Sequence, residues 1–121
     1  MSKLILVVED QEDNRRIMRD LLSSVGYEVI EAVTGEEGVA AADTHRPDLI
    51  LMDIQLPGLD GYEATRQIKA NPELEHIPII VVTSYALSGD DVKAFEAGCN
   101  AYVSKPFSPR ELLAKIHEFL P

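Results

Sequence analysis

LILMDIQLPGLDGYE, residues Leu49–Glu63, holds a strand, a loop and the start of a helix in one uninterrupted stretch. Leu49–Met52 is apolar on both faces, the pattern of a strand buried on two sides in a parallel sheet. Asp53 ends the run. Leu56-Pro-Gly-Leu-Asp-Gly reads as a loop, and Asp60 is a good N-cap for a helix carrying Ala64 and Ile68. Three other places share this design. Leu4–Val8 runs into Glu9 and Asp10, Ile79–Val82 into Thr83 and Ser84, and Ala101–Val103 into Ser104, Lys105 and Pro106.

Between these runs lie amphipathic segments. Asp13 opens a helical pattern with Ile17, Met18, Leu21, Leu22 and Val25 on one face, closed by Gly26. Glu28–Ala32 alternates more and suits an edge strand. Thr34 and Glu37 form a capping box for a helix that ends before Pro47. Asn71-Pro72 stops the helix begun at Asp60. Ser88 caps a short helix reaching about Ala97. Ser108, with Pro109 at the first helical position, opens a last helix with Leu112, Leu113, Ile116 and Phe119 on its buried face. Five strand–helix units joined by short right-handed connections make a doubly wound α/β domain, a parallel sheet covered by five helices. The 121 residues fit one domain spanning 1–121.

Composition narrows the function. With 45% hydrophobic and 26% charged residues the chain is an ordinary globular one. Its net charge of −10 repels nucleic acid and anionic lipid, so neither is an expected partner. The single cysteine, Cys99, excludes an internal disulfide and a cysteine zinc site, and reads as a buried structural thiol. No apolar run is long enough to span a membrane, and no charged-then-apolar leader opens the chain; the cytoplasm is the expected compartment. His45, His76 and His117 lack metal-ligand spacing and read as solvent-facing.

Parallel strands in one sheet would bring their C-terminal ends side by side, where open α/β sheets bind ligands. Carboxylates from Glu9, Asp10 and Asp53, the Thr83 hydroxyl and the Lys105 ammonium would then share one edge. Carboxylates hold a hard cation such as Mg²⁺, and Lys and Thr contact phosphoryl oxygens. Taken singly, each residue has a plainer reading: Asp53 as a turn starter, Glu9 or Asp10 as a helix cap, Lys105 as a solvated loop lysine, Thr83 as a turn residue.

The segments VVEDQEDN (Val7–Asn14), LILMDIQLPGLDGYE, VVTSYA (Val81–Ala86) and AYVSKPF (Ala101–Phe107) together resemble the receiver domain of two-component response regulators, of the chemotaxis-regulator or cell-division-regulator kind. The resemblance spans the chain and implies the strand order 2-1-3-4-5. It implies that Asp53 accepts a phosphoryl group and that Asp10, Asp53 and the Gln55 backbone carbonyl hold Mg²⁺, with Glu9 acting mostly through water. Lys105 would pair with Asp53 and then with the phosphoryl group, aimed by a cis peptide to Pro106. Thr83 and Tyr102 would be the switch pair, and Gln55 and Tyr85 would tune the lifetime of the phosphoryl group.

The donor implied is a phosphohistidine on a histidine kinase or phosphotransfer protein, docking near Asn14, Arg15 and Met18 and the Pro106-Phe107 loop. Partner binding would switch on the face of the fourth helix, fifth strand and fifth helix. The chemistry is self-catalysed, so the protein is not expected to be an enzyme with a separate substrate. A monomer or weak dimer is the expected state. Two other readings stand beside this one: a receiver cut from a larger response regulator or hybrid kinase, and a Mg²⁺-dependent phosphatase with an Asp nucleophile. The phosphatase would want a second acid where this chain has Gln55.

Overall fold

The computed structural model describes residues 2–83 and 90–121. Ser84, Tyr85 and Ser88 lie outside the described residues. The elements alternate: β1 (Leu4–Val8), α1 (Glu12–Ser24), β2 (Glu28–Ala32), α2 (Gly35–His45), β3 (Leu49–Asp53), α3 (Gly61–Ala70), β4 (Ile79–Thr83), α4 (Asp90–Glu96), β5 (Ala101–Ser104) and α5 (Pro109–His117). All strand pairs are parallel, in the order β2-β1-β3-β4-β5.

The runs that are apolar on both faces are the central strands, because helices cover both sides of them. Leu6, Val8, Ile50, Met52, Ile79 and Val81 pack on one side with α2, α3 and α4. Ile5, Val7, Leu49, Leu51, Ile80 and Val82 pack on the other, against Met18 and Leu22 of α1 and Leu112 and Ile116 of α5.

The caps follow the local chemistry. Thr34, Asp60 and Ser108 each accept the backbone N–H three residues on. The Glu37 carboxylate reaches back past the cap and accepts the Val33 N–H at 2.9 Å, one residue before the Thr34 N–H that a capping box uses. Gly26 follows α1 at φ +96°, a left-handed conformation that glycine adopts without strain.

α1 begins one residue before Asp13, at Glu12, and its apolar face is narrower than the sequence pattern. Met18 and Leu22 are buried and Leu21 packs beside them. Ile17 and Val25, expected on that face, are 63% and 48% exposed. The sheet contacts little more than one i, i+4 row and Ile17 falls outside it, while Val25, in phase with Met18 and Leu22, lies past the end of α1 at its C-cap. Cys99 is buried, and burial pushes its thiol up to about 11, as suits a structural rather than a reactive cysteine. His45, His76 and His117 are exposed.

Candidate functional site

The side-chain period of two along each strand decides what shares a face at the C-terminal edge. Ile5 and Val7 point toward α1 and α5, and so does the next residue in phase, Glu9. Leu49, Leu51 and then Asp53 do the same, as do Ala101, Val103 and then Lys105. β1 and β3 are neighbours with Val8 opposite Met52, so Glu9 comes to lie beside Asp53. Lys105 reaches them across the end of β4; its N–H donates to the Thr83 carbonyl at 2.7 Å. The Lys105–Pro106 peptide is cis.

Glu9 is fully buried, and bonds surround it. Its Oε1 accepts from Lys105 Nζ at 2.7 Å, and its Oε2 accepts from the Gln11 N–H at 3.1 Å. Asp53 Oδ1 accepts from the Ile54 N–H at 2.8 Å, while Oδ2 lies 3.8 Å from Lys105 Nζ. The ammonium thus serves both acids, but its short bond goes to Glu9 and not to Asp53, the partner expected from the sequence. One carboxylate oxygen from each of Glu9, Asp10 and Asp53 lies within 4.8 Å of the others.

Two acids this close cannot both ionise freely. Burial raises the Asp53 carboxyl, the Glu9 charge adds to it, and Lys105 offsets only part, leaving Asp53 at about 7. Burial also works against Glu9, but hydrogen bonds with Lys105, Asp53 and the Gln11 N–H outweigh it and hold Glu9 below its ordinary value. Below about pH 7 and without metal the pair therefore holds one proton. It resides on Asp53, with Glu9 ionised against Lys105.

An open cleft of about 780 Å³ sits over this trio, lined in part by Asp10, Asn14, Asp53, Gln55 and Lys105. Asp10 is half-buried and Gln55 exposed. Mg²⁺ takes octahedral oxygen ligands and keeps several waters. A cluster of carboxylate oxygens opening into a polar cleft fits that ion. Thr83 is buried at the end of β4, in phase with Ile79 and Val81 and so facing the α2–α3–α4 side. Tyr102 is half-buried on the same side, opposite Val81 in the register. Glu9, Asp53 and Lys105 thus continue one face of the sheet at this edge, and Thr83 and Tyr102 the other. Tyr85 lies outside the described residues.

The loop after Asp53 is held by close backbone approach. The Gly61 N–H donates to the Ile54 carbonyl at 3.0 Å. A Cβ on Gly61 would run into the Asp53 carbonyl oxygen and come within 2.7 Å of Ile54 Cα. These are backbone atoms and cannot swing aside. Gly61→Ala is expected to lose about 2 kcal/mol or more in urea unfolding. A variant with wild-type stability would show that this loop adjusts freely.

The response regulator receiver domain family model matches residues 5–117. The chain belongs to that family, whose members serve two-component signalling. It is 46% identical over 120 residues to the polar-differentiation response regulator DivK of Brucella anthropi, covering 99% of this chain and 98% of that protein. It is 45% identical to the same regulator of Brucella melitensis, with the same coverage. The receiver domain of the sensor histidine kinase PA1611 from Pseudomonas aeruginosa superposes with a TM-score of 0.92 at 40% identity, covering 99% of this chain and 98% of that one. That protein was crystallised with a magnesium ion coordinated in its active site cleft. The Vibrio cholerae chemotaxis protein CheY4 superposes with a TM-score of 0.92 at 26% identity, covering 98% of this chain and 99% of that one.

Proposed function

We propose that this chain accepts a phosphoryl group on Asp53 from a phosphohistidine of a histidine kinase or phosphotransfer protein, and that phosphorylation switches the binding of a protein partner. The observation that carries the reading is the buried Glu9–Asp53–Lys105 constellation, with Asp10 beside it at the floor of an open cleft.

Each side chain has a task. The Asp53 carboxylate attacks phosphorus in line with the departing imidazole, forming an acyl phosphate. Lys105 offers its ammonium to a phosphoryl oxygen. Asp10 and Asp53 would hold Mg²⁺, with the Gln55 backbone carbonyl as a third ligand. The ion, when bound, offsets the negative charge on the phosphoryl oxygens. Glu9 stays behind these ligands: both of its carboxylate oxygens already accept hydrogen bonds, so it acts on the ion through charge and water. Thr83 contributes its hydroxyl on the other side of the edge and shares its face with Tyr102. Gln55, and Tyr85 by its place in the sequence, set how easily water reaches the acyl phosphate. The phosphatase reading lacks its general acid, because Gln55 stands where a second carboxylate is needed.

The test is phosphotransfer from a panel of phosphorylated histidine kinases and phosphotransfer domains, with and without Mg²⁺, the label located by mass spectrometry. Mg²⁺-dependent label on Asp53 is the expected result; label elsewhere, or none from any donor, contradicts it. The metal assignment has its own check by calorimetry. Asp10→Ala is expected to weaken Mg²⁺ binding more than Glu9→Gln does. The reverse order would make Glu9 the direct ligand.

A further inference from the structure

Arg15 has no role in the chemistry above, yet its guanidinium reaches the site's backbone. From the first turns of α1 its Nη1 donates to the Glu9 carbonyl at 3.0 Å. Its Nε donates to Glu31 Oε1 on β2 at 2.9 Å. Glu31 is held from a second side as well, its Oε2 accepting from Arg19 Nη1 at 3.3 Å. The Arg15 side chain is only 17% exposed, unlike the solvated arginines further along the helix.

The Glu9 carbonyl and the Asp10 N–H belong to one rigid peptide plane. The plane on the other side of the Asp10 Cα is held too, because its Gln11 N–H donates to Glu9 Oε2 at 3.1 Å. With both planes held, the direction in which the Asp10 Cα presents its side chain is set. Asp10 needs this. Among the described residues its carboxylate enters no hydrogen bond or ion pair, whereas Glu9 is bonded at both oxygens and Asp53 at one, with Lys105 facing the other. Only the backbone aims Asp10 at the cleft.

We propose that Arg15, braced on Glu31, is a positioning residue for the metal site: it fixes the Glu9–Asp10 peptide and thereby aims the Asp10 carboxylate. The inference rests on Asp10 being a Mg²⁺ ligand. Groups that orient metal ligands from behind commonly change metal affinity 10- to 100-fold when removed. A merely structural role, satisfying an otherwise orphaned carbonyl, would lower stability and leave metal affinity alone.

The experiment therefore measures two quantities on each full-length variant, the metal-free melting temperature and the Mg²⁺ dissociation constant by calorimetry. Arg15→Ala is expected to raise the dissociation constant about tenfold or more. Arg15→Lys is expected not to rescue it, since one ammonium on a flexible stem cannot bridge two acceptors on two elements as a planar guanidinium does. Glu31→Gln keeps an acceptor for the Nε–H and is expected to retain most of the affinity, while Glu31→Ala loses it. An Arg15→Ala protein that binds Mg²⁺ like wild type, whatever its melting temperature, overturns the proposal, and so does full rescue by lysine. Should Arg15→Ala fail to melt cooperatively, Glu31→Ala decides, since it leaves Arg15 in place: unchanged affinity there overturns the proposal and weakened affinity supports it. Wild-type protein that binds no Mg²⁺ would instead sink the reading of the site itself.

Discussion

Asp53→Asn protein is expected to take no label from acetyl phosphate and, free of metal at pH 8, to melt several degrees above wild type. The first effect is chemical, because an amide cannot form an acyl phosphate by attack on phosphorus. The second follows from the raised Asp53 carboxyl. In the unfolded chain Asp53 titrates near 3.9; in the folded metal-free protein it titrates at about 7. The folded state therefore binds the extra proton between those values. Stability is fully retained below about pH 4, falls as pH rises toward 7, and the loss is complete above 7. Glu9, held low, acts below that window and with the opposite sign, losing its contribution only as pH falls through its folded value. Asparagine carries no charge to repel Glu9, so the variant should lack this decline. One pKa unit corresponds to ~1.4 kcal/mol; since the pair shares its proton, about 1–2 kcal/mol is the expected gain at pH 8. Thermal melts of both proteins in chelator from pH 4 to 8 are the check. A variant equal to or less stable than wild type at pH 8 would refute the shared-proton picture.

Lys105→Met is expected to have the largest effect on folding. It leaves Glu9 fully buried with no cation beside it, its Oε1 having lost a 2.7 Å partner. Breaking a buried ion pair from one side costs about 3–5 kcal/mol, because the stranded charge has neither water nor partner. Near neutral pH, Glu9 is then expected to take up a proton. Adding Glu9→Gln to Lys105→Met should recover much of the loss, since a neutral pair is easier to bury than half an ion pair. Urea unfolding of both single variants and the double variant measures this. Additive losses would mean that the two side chains do not act as a unit.

Much of this architecture could be read from the chain. Runs such as LILVV and IIVVT are apolar on both faces, which only strands covered from two sides require, and each carries its polar residue where the ladder ends. The strand order came from family resemblance, for nothing within a run says which neighbour it takes. The choice of Lys105 for Glu9 over Asp53 was hidden because it depends on reach. Glu9 is a methylene longer than an aspartate, and that length carries its carboxylate to Lys105. Ile17 misled because periodicity gives the direction of a helix face and not its width, and Val25 because the helix stops one residue short of it. Arg15 was legible only as part of a docking face on α1. Its two acceptors, a backbone carbonyl and a glutamate on another strand, leave no spacing rule in the sequence.

The Glu9–Lys105 pair spans 96 residues of a 121-residue chain. During synthesis the acids at the end of β1 emerge early, gain β2 and then β3 as neighbours, and wait for their counter-charge until nearly everything else has been made. A chain broken off before residue 105 would carry the acidic edge without the lysine that balances it. The bond joining the first strand to the loop after the last thus ties the neutralisation of the site to the completion of the polypeptide.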